Sequence, residues 1–398
     1  MDYNYFWGAV AITGLVATPV PAAADAAADP AYSAYIEALQ AQTPYYENTP
    51  VVATPAPAMP QADDGGPATD RGGEKNQPSG GVWRLEFENE DTGGINIFET
   101  PMHEKFSERV ESGHLTWGWR VSYTPNAANP DWTEKFRDDL FWPTSKWTAR
   151  VSYALQQSAY TPNTYNKDKN LLHLDRPAAG YLLGNVRINL EQDFQGNRQY
   201  IDQLNLGVGL VGPASGAGVV HRVAHSAVGR ESTGWQEIKT EPVVVAQYET
   251  GKRWVWGEDW LGFEAYPHAG MTLGNAYTYG AVGGSVRVGS HLKKDSGPLR
   301  TAMIMSDTNY PEPGDYYAWN LFAGIEGRAV AYNIFVDGNT YASTSGVDSK
   351  PLVADAQLGG EIGWGEYRLS LMHVFRSREF EGQIKADQFI RVGLSASF

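Results

Sequence analysis

The chain has 398 residues with 42 % hydrophobic and only 19 % charged residues, and it is rich in Gly (43), Tyr (22) and Trp (13), which favours turns and aromatic girdles over a soluble helical core. The net charge of −15 excludes a typical nucleic-acid partner, because phosphates are neutralised by Lys and Arg. The lack of Cys excludes disulfides and thiolate metal sites.

The first 80 residues are predicted to lie outside the folded domain. Residues 1–24 combine an apolar stretch over 6–20 with Ala-Ala-Ala at 22–24, as a secretory signal peptide does. Asp2 stands where a signal peptide usually has Lys or Arg, so a misassigned start codon or an apolar anchor is the alternative. Residues 25–80 are rich in Ala, Pro, Asp and Gln and predict a disordered linker, because they cannot bury enough apolar surface to offset conformational entropy.

Residues 81–398 predict an all-β fold, a transmembrane antiparallel β-barrel of about twelve strands. Apolar residues alternate with polar or small ones in repeated runs of about ten, and no helix-length apolar run follows the N-terminus. The predicted outward faces include Trp83, Leu85 and Phe87; Leu115, Trp117, Trp119, Val121 and Tyr123; Trp147, Ala149, Val151, Tyr153 and Leu155; and Ile390, Val392, Leu394, Ala396 and Phe398. The alternative is a soluble β-sandwich or lipocalin-like barrel, which explains the aromatic last residue less well.

One segment breaks the strand pattern. Residues 215–229 (SGAGVVHRVAHSAVG) predict a short helix in a loop, preceded by Gly216 and Gly218 and ending near Gly229. This helix places His221 and His225 one turn apart on the same face. Such a pair is a weak zinc signal, and a polar surface helix is the alternative, but a His on a barrel loop also suits a general base.

A second candidate is the ENED sequence at residues 88–91. Asn89 falls on the outward parity of the first strand, where a polar amide is unexpected if it faces lipid. Either the strand has already ended, or the amide and the neighbouring carboxylates hold a hard cation such as Ca²⁺, which prefers oxygen ligands.

These pieces together resemble the lipid A 3′-O-deacylase family of Gram-negative outer membranes. The matching segments are EFENEDTGG (86–94), ESGHLTWGW (111–119), the YTP of QSAYTPNTYNKDK (157–169), DRPAAGYL (175–182), LGVGLVGP (206–213), VVHRVAH (219–225) and GWQEIKTEP (234–242). The resemblance implies a twelve-stranded barrel in the outer membrane whose loop helix packs on the outer wall. It also implies Ca²⁺-dependent hydrolysis of the 3′ acyl ester of lipid A, with lipopolysaccharide as the substrate. A monomer is expected, although the sequence does not give the oligomeric state.

The resemblance also implies roles for individual residues. His225 corresponds to the general base, Asn89 and Glu90 to an Asn-Asp pair, and Ser112 to a Thr; Asn89, Glu90 and Ser112 would hold the metal. Lys167 would contact the lipid A phosphate and Glu231 would match a family acid on the substrate-binding side. His221 replaces a Gln.

Three of these positions depart from the family pattern. Glu90 is longer than Asp by one methylene, Ser112 keeps the hydroxyl of Thr, and His221 replaces an amide by a ring that can carry charge. His221 would therefore orient the attacking water, or shift the metal preference toward zinc, or abolish the activity.

Two other functions stay open at this point. A non-enzymatic barrel, porin-like or structural, predicts a water-filled lumen lined by the inward charges; the enzyme predicts a lumen plugged by ion pairs among them. The charges are Arg84, Glu86, Glu88, Arg120, Arg150 and Arg187. A phospholipid esterase of the same membrane is the third hypothesis. The sequence does not give the preferred acyl chain, the regulation or the role of the linker.

Overall fold

A computed structural model of the chain describes residues 80–89, 114–126, 128–133, 147–162, 175–194, 198–227, 238–297, 299–300, 316–344, 346–383 and 386–398. The predicted signal peptide and the linker as far as residue 79 lie outside these residues. The described part contains twelve β-strands: β1 Gly81–Asn89, β2 Leu115–Pro125, β3 Trp147–Tyr160, β4 Ala179–Phe194, β5 Arg198–Val211, β6 Glu241–Glu258, β7 Leu261–Gly274, β8 Tyr277–Gly289, β9 Tyr317–Asn333, β10 Leu352–Trp364, β11 Tyr367–Arg376 and β12 Asp387–Ser397. It also contains the helices α1, Ala217–Ala227, and α2, Ile334–Asp337.

The strands close into an antiparallel barrel, in which each strand pairs with its neighbours in the chain and β1 pairs with β12. Val82 lies opposite Ser397, so both ends of the barrel chain are at the same rim, called here the lower end. The upper end is the rim where β1 finishes at Asn89 and β12 begins at Asp387. Closure leaves no unpaired strand edge, as a sheet surrounded by lipid requires. The prediction of a twelve-stranded all-β barrel is confirmed.

The outer surface is apolar, as the period-two pattern predicts. Exposed side chains alternate with buried or part-buried ones over much of the wall, and the outward set includes Trp83, Leu85, Phe87, Val208, Leu321, Ile325 and Leu394. Ala149 and Val151 of β3 share the parity of the exposed Tyr153 and Leu155, but they are buried. Among the described residues, no helix has the length and apolar character needed to cross a membrane.

One strand departs from the predicted parity. Leu115 pairs with Tyr160 but Trp117 pairs with Ala159, so β2 has one extra residue, Thr116, at this point. Such a β-bulge shifts the side-chain alternation by one residue. Leu115 therefore joins the interior cluster that contains Tyr160, and its assignment to the outward face of β2 was wrong.

The barrel interior is filled by ion pairs rather than water-lined. Arg84 and Arg120 both bind Glu86, with N···O distances of 3.2 and 2.7 Å, and Arg391 binds Glu88. Farther round the wall, Arg328 and Arg376 share Asp355 at 2.7 and 2.9 Å. Two cavities between interior side chains have volumes of only about 10 Å³ each, close to the room for one water molecule.

Side chains outside the strands are buried at both ends of the lumen. At the upper end, Phe335 of α2 is fully buried and packs against Tyr160, Tyr181 and Tyr277, with ring centroids 4.8 to 5.3 Å apart. At the lower end, Asp295 from the β8–β9 loop binds Arg287 at 2.7 Å and Arg253 at 3.2 Å. Burial acts to raise the pKa of Asp295, but the charges of Arg287 and Arg253 outweigh it and hold this pKa below the ordinary 3.8.

Candidate functional site on the outer wall

The helix α1 lies on the outside of the barrel, against β3 and β4 near the upper end. It begins after Gly216, whose φ of +75° suits glycine. Gly218, expected to precede the helix, is its second residue, because the turn needs only one such glycine. The first helical residue, Ala217, is fully buried and packs with Ala159 and Trp117 of the wall. The predicted helix is thus present and packs on the outer wall.

Small side chains let the helix approach the sheet closely. Gly180 faces outward on β4, and a Cβ atom at this position would lie 2.2 Å from the Cβ of Ala217 and 2.8 Å from Ser215 Oγ. Real Cβ atoms do not come so close, so Gly180 provides the space in which α1 begins.

A polar side chain on the outward face of β3 binds the segment just before the same end of the helix. Gln157 of β3 is 6 % exposed, and its Nε2 donates to the carbonyl oxygen of Ser215 at 2.5 Å. Trp119 Nε1 in turn donates to Gln157 Oε1 at 3.1 Å. Because buried amides need partners, these two bonds fix Gln157 and seat the segment before α1.

The two histidines follow on this helix. His221, one turn after Ala217, is 7 % exposed and lies on the side of α1 that meets the wall. His225 is one turn farther along the helix, and its side chain lies outside the described part. Val219 and Val223 are exposed, so the apolar outer surface of the barrel continues over the helix.

Asn89 lies in the row of outward-facing residues that runs across the strands to the start of α1. Across the sheet, Asn89 is opposite Trp117, Trp117 is opposite Ala159, and Ala159 is opposite Gly180. Neighbouring strands are about 4.8 Å apart, so Asn89 lies roughly 10 Å from β3. Asn89 Oδ1 is buried and has no hydrogen-bond partner among the described residues. Asn89 is the last residue of β1, so it ends the strand and still faces outward.

Four predicted site residues lie outside the described residues, namely Glu90, Ser112, Lys167 and Glu231. The described residues include a cluster of charged side chains that follows two of these segments in the chain. His114 is buried and joins Asp175 and Asp387 through its two ring nitrogens, at 3.0 and 2.9 Å. His114 follows the β1–β2 segment that holds Glu90 and Ser112, and Asp175 follows the β3–β4 segment that holds Lys167. The cluster therefore ties the ends of these segments to the start of β12.

His114 is protonated, as its position between two carboxylates favours. Burial acts to lower the pKa of His114, but the hydrogen bonds to Asp175 and Asp387 raise it from 6.5 to about 9. The ring is thus a cation between two carboxylates at neutral pH. Arg176, next to Asp175 in the chain, binds Glu379 at 3.0 Å and the carbonyl oxygen of Phe335 at 3.0 Å.

The sequence reasoning did not single out two residues of β2, Thr116 and Trp117. Thr116 Oγ1 lies 2.6 Å from Thr161 Oγ1, at the bulge beside the Asn89 row. Trp117 is 8 % exposed, and its indole N–H has no partner among the described residues. A bulge can be recognised only from strand pairing, so the sequence offered no signal for either residue.

Two places among the described residues have side-chain atoms of the kind that bind metal ions. The unpartnered Asn89 Oδ1 fits such a cation, which takes amide and carboxylate oxygens. A second group, Glu249, His268 and Glu326, brings its ligand atoms within 4.8 Å of one another inside the lumen. There Arg300 already neutralises Glu249 and Arg328 neutralises Glu326, so this group does not fit a metal ion.

Comparison with known proteins identifies the family of the chain. A profile of the family described as outer membrane protein LpxR matches residues 105–398, well over half of the chain. The chain belongs to this family. The resemblance inferred from the sequence is confirmed, and membership of the LpxR family places the barrel in the outer membrane of a Gram-negative bacterium. It also implies a lipid A deacylase of that membrane.

The solved structure of an LpxR protein has the same fold, and two other outer-membrane barrels have a lower similarity. LpxR from Salmonella typhimurium is 19 % identical, with a TM-score of 0.65 over 80 % of this chain and 100 % of that chain. The beta domain of the Bordetella autotransporter BrkA is 9 % identical, with a TM-score of 0.38 over 80 % of this chain and 100 % of that one. The translocator domain of NalP from Neisseria meningitidis is 11 % identical, with a TM-score of 0.35 over 80 % and 88 %. None of the curated proteins compared matches the sequence.

Proposed function

We propose that the protein hydrolyses the 3′ acyloxyacyl ester of lipid A at the extracellular surface of the outer membrane, with His225 as general base. The observation that carries the proposal is the helix α1 on the outer wall, with Asn89 and its unpartnered oxygen in the same row. In this arrangement a lipid in the outer leaflet reaches the site from the side of the barrel. The upper end of the barrel is then the extracellular end.

The proposed base acts on water. A neutral His225 takes a proton from the attacking water, and an imidazole is suited to this near neutral pH. Helical spacing puts His221 one turn before it, where it orients that water in place of the family's Gln. Lys167 contacts a lipid A phosphate, and Glu231 lies on the substrate side. No serine nucleophile is needed in this scheme.

Asn89, Glu90 and Ser112 are the proposed ligands of Ca²⁺. When bound, the cation polarises the ester carbonyl and stabilises the developing negative charge. The proposed ligands lie on β1 and in the segment before β2, and the His114 cluster joins the β2 end of that segment to Asp175 and Asp387. The proposed role of the His114 cluster is to hold the segments that carry these ligands in place.

The filled lumen favours this proposal over a porin-like barrel. Ion pairs among Arg84, Glu86 and Arg120 occupy the interior, and Phe335 and Asp295 are buried at its two ends. Such a lumen carries little ionic current. The protein reconstituted in a planar lipid bilayer is expected to give no stable conductance, and a steady open-channel current would support the porin hypothesis.

The decisive experiment is mass spectrometry of lipid A from cells that express the full chain or a variant. The wild type is expected to remove the 3′ acyloxyacyl group, and His225→Ala is expected to leave lipid A intact. His373→Ala is the matched control, because His373 is a part-exposed His on β11, away from α1. Lipid A that is unchanged by the wild type would refute the proposal, and loss of phospholipid acyl chains instead would identify a phospholipid esterase.

The same assay tests the departure at position 221. His221→Gln restores the amide of the family pattern and is expected to keep or increase the rate of deacylation. Purified protein assayed with Ca²⁺, with Zn²⁺ and with a chelator tests the metal. Activity with Zn²⁺ alone would contradict the assignment of Ca²⁺.

A further inference from the structure

Trp117 differs from Trp119, the other tryptophan of β2, in the hydrogen bonding of its indole N–H. Its ring is 8 % exposed, covered by Ala217 of α1 and by Ala159 of β3. Its Nε1–H has no partner among the described residues, whereas Trp119 on the same face donates to Gln157. A buried N–H without a partner costs stability, so a ligand that accepts from it would remove this cost.

The residue opposite Trp117 carries the complementary atom. Asn89 pairs with Trp117 across β1 and β2, and residues so placed have Cβ atoms about 5 Å apart. Asn89 Oδ1 is also without a partner among the described residues. The indole N–H of Trp117 therefore requires an acceptor, and Asn89 Oδ1 requires a cation or a donor. A carbonyl oxygen lying beside a bound cation satisfies both groups together.

We propose that the indole N–H of Trp117 donates a hydrogen bond to the carbonyl oxygen of the ester that is hydrolysed. This inference rests on the proposed function and adds a catalytic residue to it. Negative charge develops on this oxygen as water adds to the carbonyl carbon, and the N–H stabilises it more strongly in the transition state than in the bound ester. The burial of Trp117 under α1 excludes competing water and strengthens the bond.

The test compares purified enzymes that differ only in an indole N–H. Trp117→Phe keeps an aromatic ring but removes the donor. Trp147→Phe is the matched control, since Trp147 Nε1 is also without a partner among the described residues but lies at the lower end of β3. If Trp117→Phe folds poorly, benzothienylalanine incorporated at position 117 removes only the N–H.

Removal of one oxyanion donor is expected to lower kcat about 100-fold, with little change in KM. The Trp147→Phe enzyme is expected to retain the wild-type kcat. An unchanged kcat for Trp117→Phe, or a change in KM alone, would overturn the assignment. A wild type without deacylase activity would instead refute the proposed function, so the two failures are distinguishable.

A second readout does not depend on turnover. An analogue of lipid A with an amide in place of the 3′ ester keeps the carbonyl and resists hydrolysis. On binding of this analogue with Ca²⁺, the ¹⁵N-indole signal of Trp117, assigned by its absence in Trp117→Phe, is expected to shift its proton downfield. A signal that already shows this shift in the free protein and does not move would mean that water satisfies the N–H, which refutes the bond.

Discussion

Gly180 on β4 lies directly under Ala217, the first residue of α1, and a Cβ on Gly180 would come within 2.2 Å of the Cβ of Ala217. The contact lies on the outer wall, in the row that ends at Asn89. The position of the helix that carries His221 and His225 therefore depends on the missing side chain of one glycine.

Gly180→Ala is expected to displace the start of α1 and to lower deacylation about tenfold, because overpacking shifts backbone rather than destroying the barrel. Gly184→Ala is the control on the same outward face of β4, where the nearest atom to the new Cβ is Val208 O at 3.8 Å. Lipid A mass spectrometry measures activity, and heat-modifiable migration on gels measures barrel folding. Equal activity of the two variants would show that α1 tolerates the shift.

Thr116 is a described hydroxyl residue beside Asn89, whereas Ser112, one of the proposed cation ligands, lies outside the described residues. Because the bulge puts Thr116 beside the row of Asn89, Thr116→Ala is expected to reduce activity at least as much as Ser112→Ala, by about tenfold or more. The measurement is the Ca²⁺ concentration that gives half-maximal activity for each variant. A rise with Ser112→Ala alone would favour Ser112 as the ligand.

His114→Ala removes the cation between Asp175 and Asp387. Breaking a buried pair costs about 3–5 kcal/mol, so the three connected segments are expected to loosen. Hydrogen–deuterium exchange at residues 175–178 and 386–389 is expected to speed up, and deacylation to fall with it. His291→Ala, at the lower end of the barrel and away from both segments, serves as the reference. Unchanged exchange at both segments would show that His114 is not their anchor.

Asp295, at the lower end of the lumen, is expected to make the stability of the folded protein depend on pH. Its pKa is lower in the folded protein than the ordinary 3.8, so its ionised form stabilises the fold above that value, and the stabilisation is lost as the pH falls through the folded pKa. Asp295→Asn is expected to cost about 3 kcal/mol at neutral pH. The gap in melting temperature between wild type and variant should stay constant from pH 7 to about 5 and close only below about 3.8. A gap that closes above pH 5 would contradict the lowered pKa.

Much of the fold could be read from the alternation of side chains. Trp83, Leu85 and Phe87 are exposed while Arg84 and Glu86 are buried, because a strand directs successive side chains to opposite faces. The helix containing His221 was predictable from the glycine before it and from the break in alternation. The bulge at Thr116 was not, since an extra residue is visible only when Leu115 and Trp117 are paired with β3.

The sequence by itself determined the family, the outward parity of Asn89 and the spacing of His221 and His225, because these depend on local order and periodicity. Only the tertiary structure decided that Glu86 pairs with Arg120 on the next strand, that Gly180 leaves room for α1 and that Trp117 lies opposite Asn89. These are contacts between residues far apart in the chain. Their partners are set by strand register and barrel closure, which the pattern of any single strand does not encode.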